Sequence, residues 1–432
     1  ANSGSLAHLL KASLGTGILA MPSAIKNGGL LFGGVCTILI GILCSHCVHI
    51  LVRSSQVLCK RTRTPSMSFA QTAGAAFRTG PKPLRPFTKF AESFIDAAVA
   101  ATCISGTCVY VVFIASSIKQ VADYHSGLDI SIRLYMLMLV PAVLALGQIR
   151  NLKHLVPFSV VANISIVVGF AITLYYLFQD IKPISSVNMV ATLPQLPKFF
   201  ATVLFAIEGI GAVMPVENSM RTPEHFLGCP SVLNIAMSIV VCLYTVIGVF
   251  GYLKYGEDTM GSVTLNLNTT DPKSTNHNTQ QLINESICNF LRLSQVVKLL
   301  IAFAILLTYG LQYYIGMEVI WGSLRKHVSM QYHGIAETML RVFVVLLTGE
   351  LYFAIAIAVP DLEPFISLVG SVFFSILGIA VPAIVETVSC WDGHLGVFRW
   401  RLWKNSILVV LAMLALIFGS WISVIEIIKL YT

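Results

Sequence analysis

Eleven long apolar segments, at about 6–28, 30–58, 88–118, 131–149, 154–179, 199–219, 230–254, 290–321, 336–359, 362–386 and 405–430, run through a chain of 432 residues. Most are long enough to cross the roughly 30 Å of a bilayer's hydrocarbon as a helix, and none shows the alternation of a barrel strand. In lipid, only helices and closed barrels satisfy every backbone group, so the sequence predicts an all-α, polytopic membrane protein with eleven transmembrane helices. Composition agrees with this reading. Charged residues are 11% of the chain and hydrophobic residues 56%, against roughly a quarter charged in soluble domains. The mean hydropathy of +0.80 reflects more apolar surface than soluble domains of this length could bury, which excludes a water-soluble enzyme and a nucleic-acid-binding module. The formal charge of +8 is therefore to be read by its location.

Basic residues concentrate in alternate loops. Lys60, Arg61, Arg63, Arg78, Lys82, Arg85 and Lys89 follow the second segment, Arg150 and Lys153 the fourth, Arg325 and Lys326 the eighth, and Arg399, Arg401 and Lys404 the tenth. By the positive-inside rule these loops are cytosolic, which places the N-terminus inside and the C-terminus outside. The polar stretch 255–289 then falls outside, and it carries two glycosylation sequons, at Asn268 and Asn284. A third sequon at Asn163 lies inside an apolar segment and is read as chance. The first segment lacks the charged flank and cleavage site of a signal peptide, so none is expected. Ten cysteines are scattered singly, many within apolar runs where a thiol behaves as a small hydrophobe, which argues against a secreted disulfide framework.

Small residues interrupt two of the segments. Ser13-Leu14-Gly15-Thr16-Gly17 lies within the first, and Glu208-Gly209-Ile210-Gly211 within the sixth. Either cluster alone reads as a close-packing contact. Together they occupy equivalent positions if segments 1–5 (residues 1–180) and 6–10 (residues 199–386) form two inverted repeats, with 405–430 an additional helix, and paired interruptions of that kind mark the binding sites of secondary transporters. Unwinding at Gly15–Gly17 frees amides that suit a carboxylate. The carbonyls ending the first half-helix, and those of the sixth-segment break, suit an ammonium. Ser13, Gly15, Thr16, Gly17, Gly209 and Gly211 are thus the candidate substrate-binding residues, with Phe205 as a hydrophobic gate.

The run from His8 through Met21-Pro22, followed by Lys26-Asn27-Gly28-Gly29, resembles the first span of the proton-coupled amino acid transporters of the amino acid/auxin permease family. Further matches are Ile149-Arg150-Asn151-Leu152, Glu208-Gly209-Ile210-Gly211 with Pro215-Val216-Glu217-Asn218, Leu265-Asn266-Leu267, and Ile366-Ser367-Leu368-Val369-Gly370-Ser371. The resemblance implies a 5+5 inverted-repeat (LeuT-like) core and symport of small neutral amino acids with protons, at the plasma membrane or at lysosomal or endosomal membranes, with no cofactor besides the proton and a monomeric working unit in lipid. It ties His8 to proton coupling and the Gly-Thr-Gly break to substrate. It also implies an outer disulfide, but the stretch Gln120 to Arg133 contains no cysteine to join Cys288, so that bond is expected to be absent.

His8 lies roughly 10 Å along a helix from Gly15, where an imidazole titrating near neutrality suits proton exchange; a plain helix-end histidine is the alternative. Glu208 and Glu350 are the other candidate proton groups, since carboxylates inside a membrane are costly and default to function; a structural hydrogen bond and a buried ion pair are their respective alternatives. Lys11, Glu92, Asp96, Lys298 and Arg341 are read as snorkelling or paired. Cys44-Ser45-His46-Cys47-Val48-His49 has metal-like spacing but lacks four convergent ligands and lies inside the second segment, so packing is favoured and no metal is expected. Tyr110 and Tyr309 are possible cavity walls. No zinc-protease, serine-elbow or phosphate-loop motif is present. Sodium coupling, uncoupled transport and an amino-acid-sensing receptor remain the competing functions.

Overall fold

The computed structural model describes residues 5–6, 9–10, 13, 15–126, 130–150, 152–179, 181–207, 209–220, 222–228, 231–268, 280–358, 362–391 and 395–429. The principal helices are α1 (Gly17–Gly28), α2 (Leu30–Thr62), α3 (Phe69–Thr79), α4 (Thr88–Ser126), α5 (Ile132–Gly147), α6 (Leu152–Leu177), α7 (Leu196–Ile207), α8 (Ile210–Ser219), α9 (Val232–Tyr255), α10 (Gln280–Leu324), α11 (His333–Ala358), α12 (Leu362–Ser389) and α13 (Trp400–Lys429). No strand occurs among the described residues. Seven described helical segments are long and apolar enough to cross a membrane, those built on α2, α4, α6, α9, α10, α12 and α13.

Local chemistry sets several helix ends. Gly29, at φ 83°, turns the chain between α1 and α2, a left-handed backbone that favours a residue without Cβ. Ser68 and Gln71 form a capping box that starts α3. The basic residues of this stretch predict a loop; α3 instead buries Phe69, Ala70, Ala73 and Ala76 against α4 and α12. The boundary at the outer loop also shifts. The helix α10 begins at Gln280, ahead of the apolar run, so Asn284 belongs to its first turns rather than to a loop. Asn268 ends a short 3-10 helix, Val263–Asn268.

Two groups of contacts position the centre of the molecule. The helix α1 packs on α7 and α9, while α10 packs on α4 and α6; α12 and α13 close over α7. Small residues permit the closest approaches. A Cβ built on Gly17 would fall 2.5 Å from Ala206 Cα, and one on Gly370 would fall onto the carbonyl of Ala201. Gly370 also opens a π-helical segment, Gly370–Ala380, inside α12, a rare geometry that often marks functional positions. Ser371 and Ser375 bond back to the helix there. Facing it, α13 brings Ser420 to 3.2 Å from Ser371 and Ser423 to 2.5 Å from Ser367.

Because Gly370 meets backbone and Gly322 has no atom within 4 Å of its would-be Cβ, the two sites should respond differently to one methyl group. Gly370→Ala is expected to destabilise by about 1–3 kcal/mol, and Gly322→Ala to stay within about 0.5 kcal/mol. Thermal unfolding of the two detergent-purified variants checks the contrast.

Candidate functional site

The two interruptions found in the sequence lie against each other. On one side the chain bends at Gly15, whose amide donates to the Ser13 carbonyl at 3.0 Å, and α1 starts at Gly17. On the other, α7 stops at Ile207 and α8 begins at Ile210, with Gly209 at φ −119° and ψ 23° between them. A Cβ on Gly209 would lie 2.9 Å from Ser13 Oγ. Four candidate substrate residues, Ser13, Gly15, Gly17 and Gly209, therefore meet at one crossing. Thr16 is buried there and precedes α1 without a side-chain cap. Among the opening amides of α1, that of Leu19 turns back to the Thr16 carbonyl at 3.1 Å, the tight first turn common at a helix N-terminus.

Two tyrosines reach into the break. The Tyr244 hydroxyl, fully buried on α9, donates to the Ser13 carbonyl. On α4, the Tyr110 hydroxyl lies 3.6 Å from the position a Cβ on Gly15 would take. A void lined by Ser13, Ile207, Gly209, Leu233, Met237 and Gly378 adjoins the crossing. Its volume of about 10 Å³ is the space of a single water at most.

Other sequence candidates stand elsewhere. Gly211 is exposed, with nothing within 4 Å of its would-be Cβ, so it is not a close-packing contact. Phe205 is buried and packs edge-on against Phe374 at 5.8 Å. Tyr309 is buried and stacks on Tyr313 rather than on the void. Glu350 is exposed on α11, continuing the outward stripe of Phe343, Leu346 and Leu347, and α11 packs mainly on α5 and α4. His8 and Glu208 lie outside the described residues, as do Lys11 and the side chains of Asn268, Asn284 and Cys288. Lys298 donates to Gln120 at 2.6 Å, and Arg341 pairs with Glu337 at 3.0 Å and with the Gly147 carbonyl. Within the metal-like run, Cys44 and Cys47 are buried in α2 while His46 meets Lys404, itself paired with Glu386 at 2.8 Å.

The end of α1 opposite the basic loops is held by charged and polar groups from separate helices. Lys198, buried at 8% exposure, sits 2.8 Å from Glu363 and 2.7 Å from Glu426. Asn27 donates to the same Glu363 oxygen at 2.6 Å. Beside them Lys26 donates to the carbonyls of Glu257 and Thr259, and Ala191 donates to the Gly28 carbonyl. This lock joins α1, α7, α12 and α13. Its one legible trace was the Lys26-Asn27-Gly28-Gly29 run, since the carboxylates come from distant segments.

Comparison with known proteins converges on one family. The model of the transmembrane amino acid transporter protein family matches residues 3–425. The chain is 39% identical to the proton-coupled amino acid transporter-like protein pathetic of Drosophila melanogaster, over 99% of this chain and 85% of that protein. It is 26% identical to the amino acid transporter AVT3C of Arabidopsis thaliana, over 98% and 90%. Among solved structures, Mhp1, a nucleobase-cation-symport-1 family transporter in a closed, bromovinylhydantoin-bound conformation, superposes with a TM-score of 0.56 at 11% identity, covering 98% of this chain and 91% of that one. MhsT in complex with L-phenylalanine gives 0.52 at 14% identity, covering 96% and 98%. At these identities the structures establish a shared fold.

Removing the Tyr244 hydroxyl takes away one of the two donors to the buried Ser13 carbonyl and leaves the Gly15 amide as the other. Tyr244→Phe is therefore expected to cost about 0.5–1.5 kcal/mol, read as a lowered unfolding midpoint. Thr245→Val, a hydroxyl that bonds only within its own helix at Val241, is expected to change it little.

Proposed function

Since the chain belongs to the transmembrane amino acid transporter family, we propose that it is a secondary active transporter that moves small neutral amino acids together with protons by alternating access. The observation that carries this reading is the meeting of the two breaks at Ser13, Gly15, Gly17 and Gly209. In the proposed complex the substrate carboxylate takes the amides that open α1, where the helix dipole is positive. The ammonium takes carbonyls at the end of α7, since the Ser13 carbonyl already accepts from Gly15 and Tyr244. A zwitterion of few atoms satisfies both ends, and the apolar lining from Ile207, Leu233 and Met237 favours small uncharged side chains.

The single-water void supports reading this arrangement as a shut stage of the proposed cycle. Admission of substrate requires α1 to part from α7, and the lock at Lys198, Glu363, Glu426 and Asn27 must then open on that side. The repeats proposed for this motion are residues 1–180 and 199–386, with 405–430 as an eleventh helix. The N-terminus is proposed to be cytosolic, the outer loop glycosylated at Asn268 and Asn284, and the working unit a monomer in the plasma, lysosomal or endosomal membrane.

Protons are the proposed driving ion, an assignment supported by the first-segment motif around His8 and by the identity of the fly relative as a proton-coupled amino acid transporter-like protein. His8 and Glu208 belong to the broken segments and carry the coupling in this proposal. Glu350, on α11, is the third proposed proton group.

Proteoliposomes containing the full chain, given labelled small neutral amino acids and an acid-outside step in sodium-free medium, are expected to accumulate substrate, and a protonophore to abolish accumulation. His8→Ala is expected to lose the pH dependence while retaining substrate binding, and Glu350→Gln to distinguish a proton group on α11 from a bystander. Uptake that requires sodium would replace protons as the driving ion. Binding without any accumulation would replace the transporter with a receptor.

A further inference from the structure

At the opposite end of the bundle from the lock, a groove of about 390 Å³ runs between α3, the Lys82–Phe87 turn, α4 and α12. Its volume lies within the range of small-molecule sites, roughly 300–1,000 Å³, and every residue lining it is apolar. Phe77, Phe87, Phe90 and Phe94 form its walls, and Ala91 and Val385 its floor. Phe90 is 67% exposed and stacks on Phe94 at 6.0 Å, so this wall is open at the molecular surface. Exposed aromatic rings around an apolar trough of this depth mark an interaction site.

The surrounding charge identifies the occupant. Arg78, Lys82, Arg85 and Lys89 are all exposed and sit next in sequence to the groove residues Phe77, Leu84 and Phe90 or in the turn between them. Among the described residues none of the four forms an ion pair. The nearest carboxylate on α4, that of Glu92, packs against the α3 backbone at Gly74. An apolar trough beside a span-length helix, bordered by four exposed cations, matches a single chemistry: an acyl chain covalently joined to an anionic headgroup.

We propose that this groove is a binding site for one anionic phospholipid, its acyl chain between the phenylalanines and its phosphate among Arg78, Lys82, Arg85 and Lys89. The lipid braces α12 just beyond the π segment Gly370–Ala380, and so joins α3 and the long α4 to the helix that carries Glu363 of the Lys198 lock. It depends on the chain being a membrane protein and not on which solute or ion is transported.

The test is native mass spectrometry of the full chain in neutral detergent, titrated with phosphatidylglycerol and with phosphatidylcholine of identical acyl composition. Phosphatidylglycerol is expected to be retained about tenfold better, the effect of one to two interfacial cations. The quadruple variant R78Q/K82Q/R85Q/K89Q should lose the preference, and Ile384→Trp, which fills the groove from its rim, should lose retention with the charges intact. Equal retention of the two lipids overturns the site. So does retention unchanged in Ile384→Trp, which would reduce the cations to surface attraction or orientation signals. A phosphatidylglycerol carrying a photoreactive group at its acyl terminus, applied to the unaltered chain, should label peptides within 84–95 and 381–385. Labelling confined to α13, or a protein–protein crosslink through the groove, overturns the proposal without relying on any variant's folding.

Discussion

Backbone hydrogen bonding in a medium without water is the constraint on which this molecule turns. A helix broken inside a bilayer leaves amides and carbonyls that must be met by protein, at several kcal/mol per unmet group. The two breaks here answer that demand by being placed together: Gly15 folds back on Ser13, Tyr244 donates to the same Ser13 carbonyl from α9, and Gly209 lets the two chains touch at the Ser13 hydroxyl. The start of α1 has no side-chain cap from Thr16, and its Leu19 amide turns back to the Thr16 carbonyl. A proposed substrate with a carboxylate would complete the pattern that the protein itself leaves incomplete.

Glycine serves a second purpose at this centre, and the two purposes are separable. Gly17 both begins α1 and abuts the backbone of Ala206, so its missing Cβ is needed for packing whether or not the helix unwinds. Gly211 has space around it and needs no such explanation. The sequence pattern alone could not tell a packing glycine from a hinge glycine, because both produce a small residue in an apolar run. Only the neighbour across the gap decides, and that neighbour lies nearly two hundred positions away in the chain.

The same distinction explains how much could be read in advance. Apolar length and alternate basic loops gave the helical class and most helix positions, since both are properties of contiguous residues. The broken segments were legible for the same reason. The Lys198, Glu363 and Glu426 lock was not, because it assembles one charge from each of three separate helices, and each looks in isolation like an ordinary interfacial side chain. Helix α3 was missed for a different reason. Its basic flanks dominated the charge reading, although Ser68 and Gln71 at capping-box spacing followed by Phe69, Ala70 and Ala73 carried a usable signal. For Glu350 the sequence showed a carboxylate within an apolar segment but not the side of the helix it occupies, and that side is outward.

The additional helix α13 is then more than an appendage to two repeats. Its small face, Gly419, Ser420 and Ser423, fits against Ser367 and Ser371 beside the π segment of α12, and one turn further along it supplies Glu426 to Lys198. A buried lysine held by a single carboxylate and an amide would be a simple ion pair; the second carboxylate gives the cluster a net negative charge that burial disfavours unless the fit is close. Closure of this end thus depends on α7, α12 and α13 arriving together with the end of α1. Any motion that separates α1 from α7 at the central crossing must also act on this cluster, because Asn27 and Lys198 lie on those same two helices or at their ends. The crossing and the lock are in that sense one mechanical unit, with the amide-rich start of α1 at one end and its charged seal at the other.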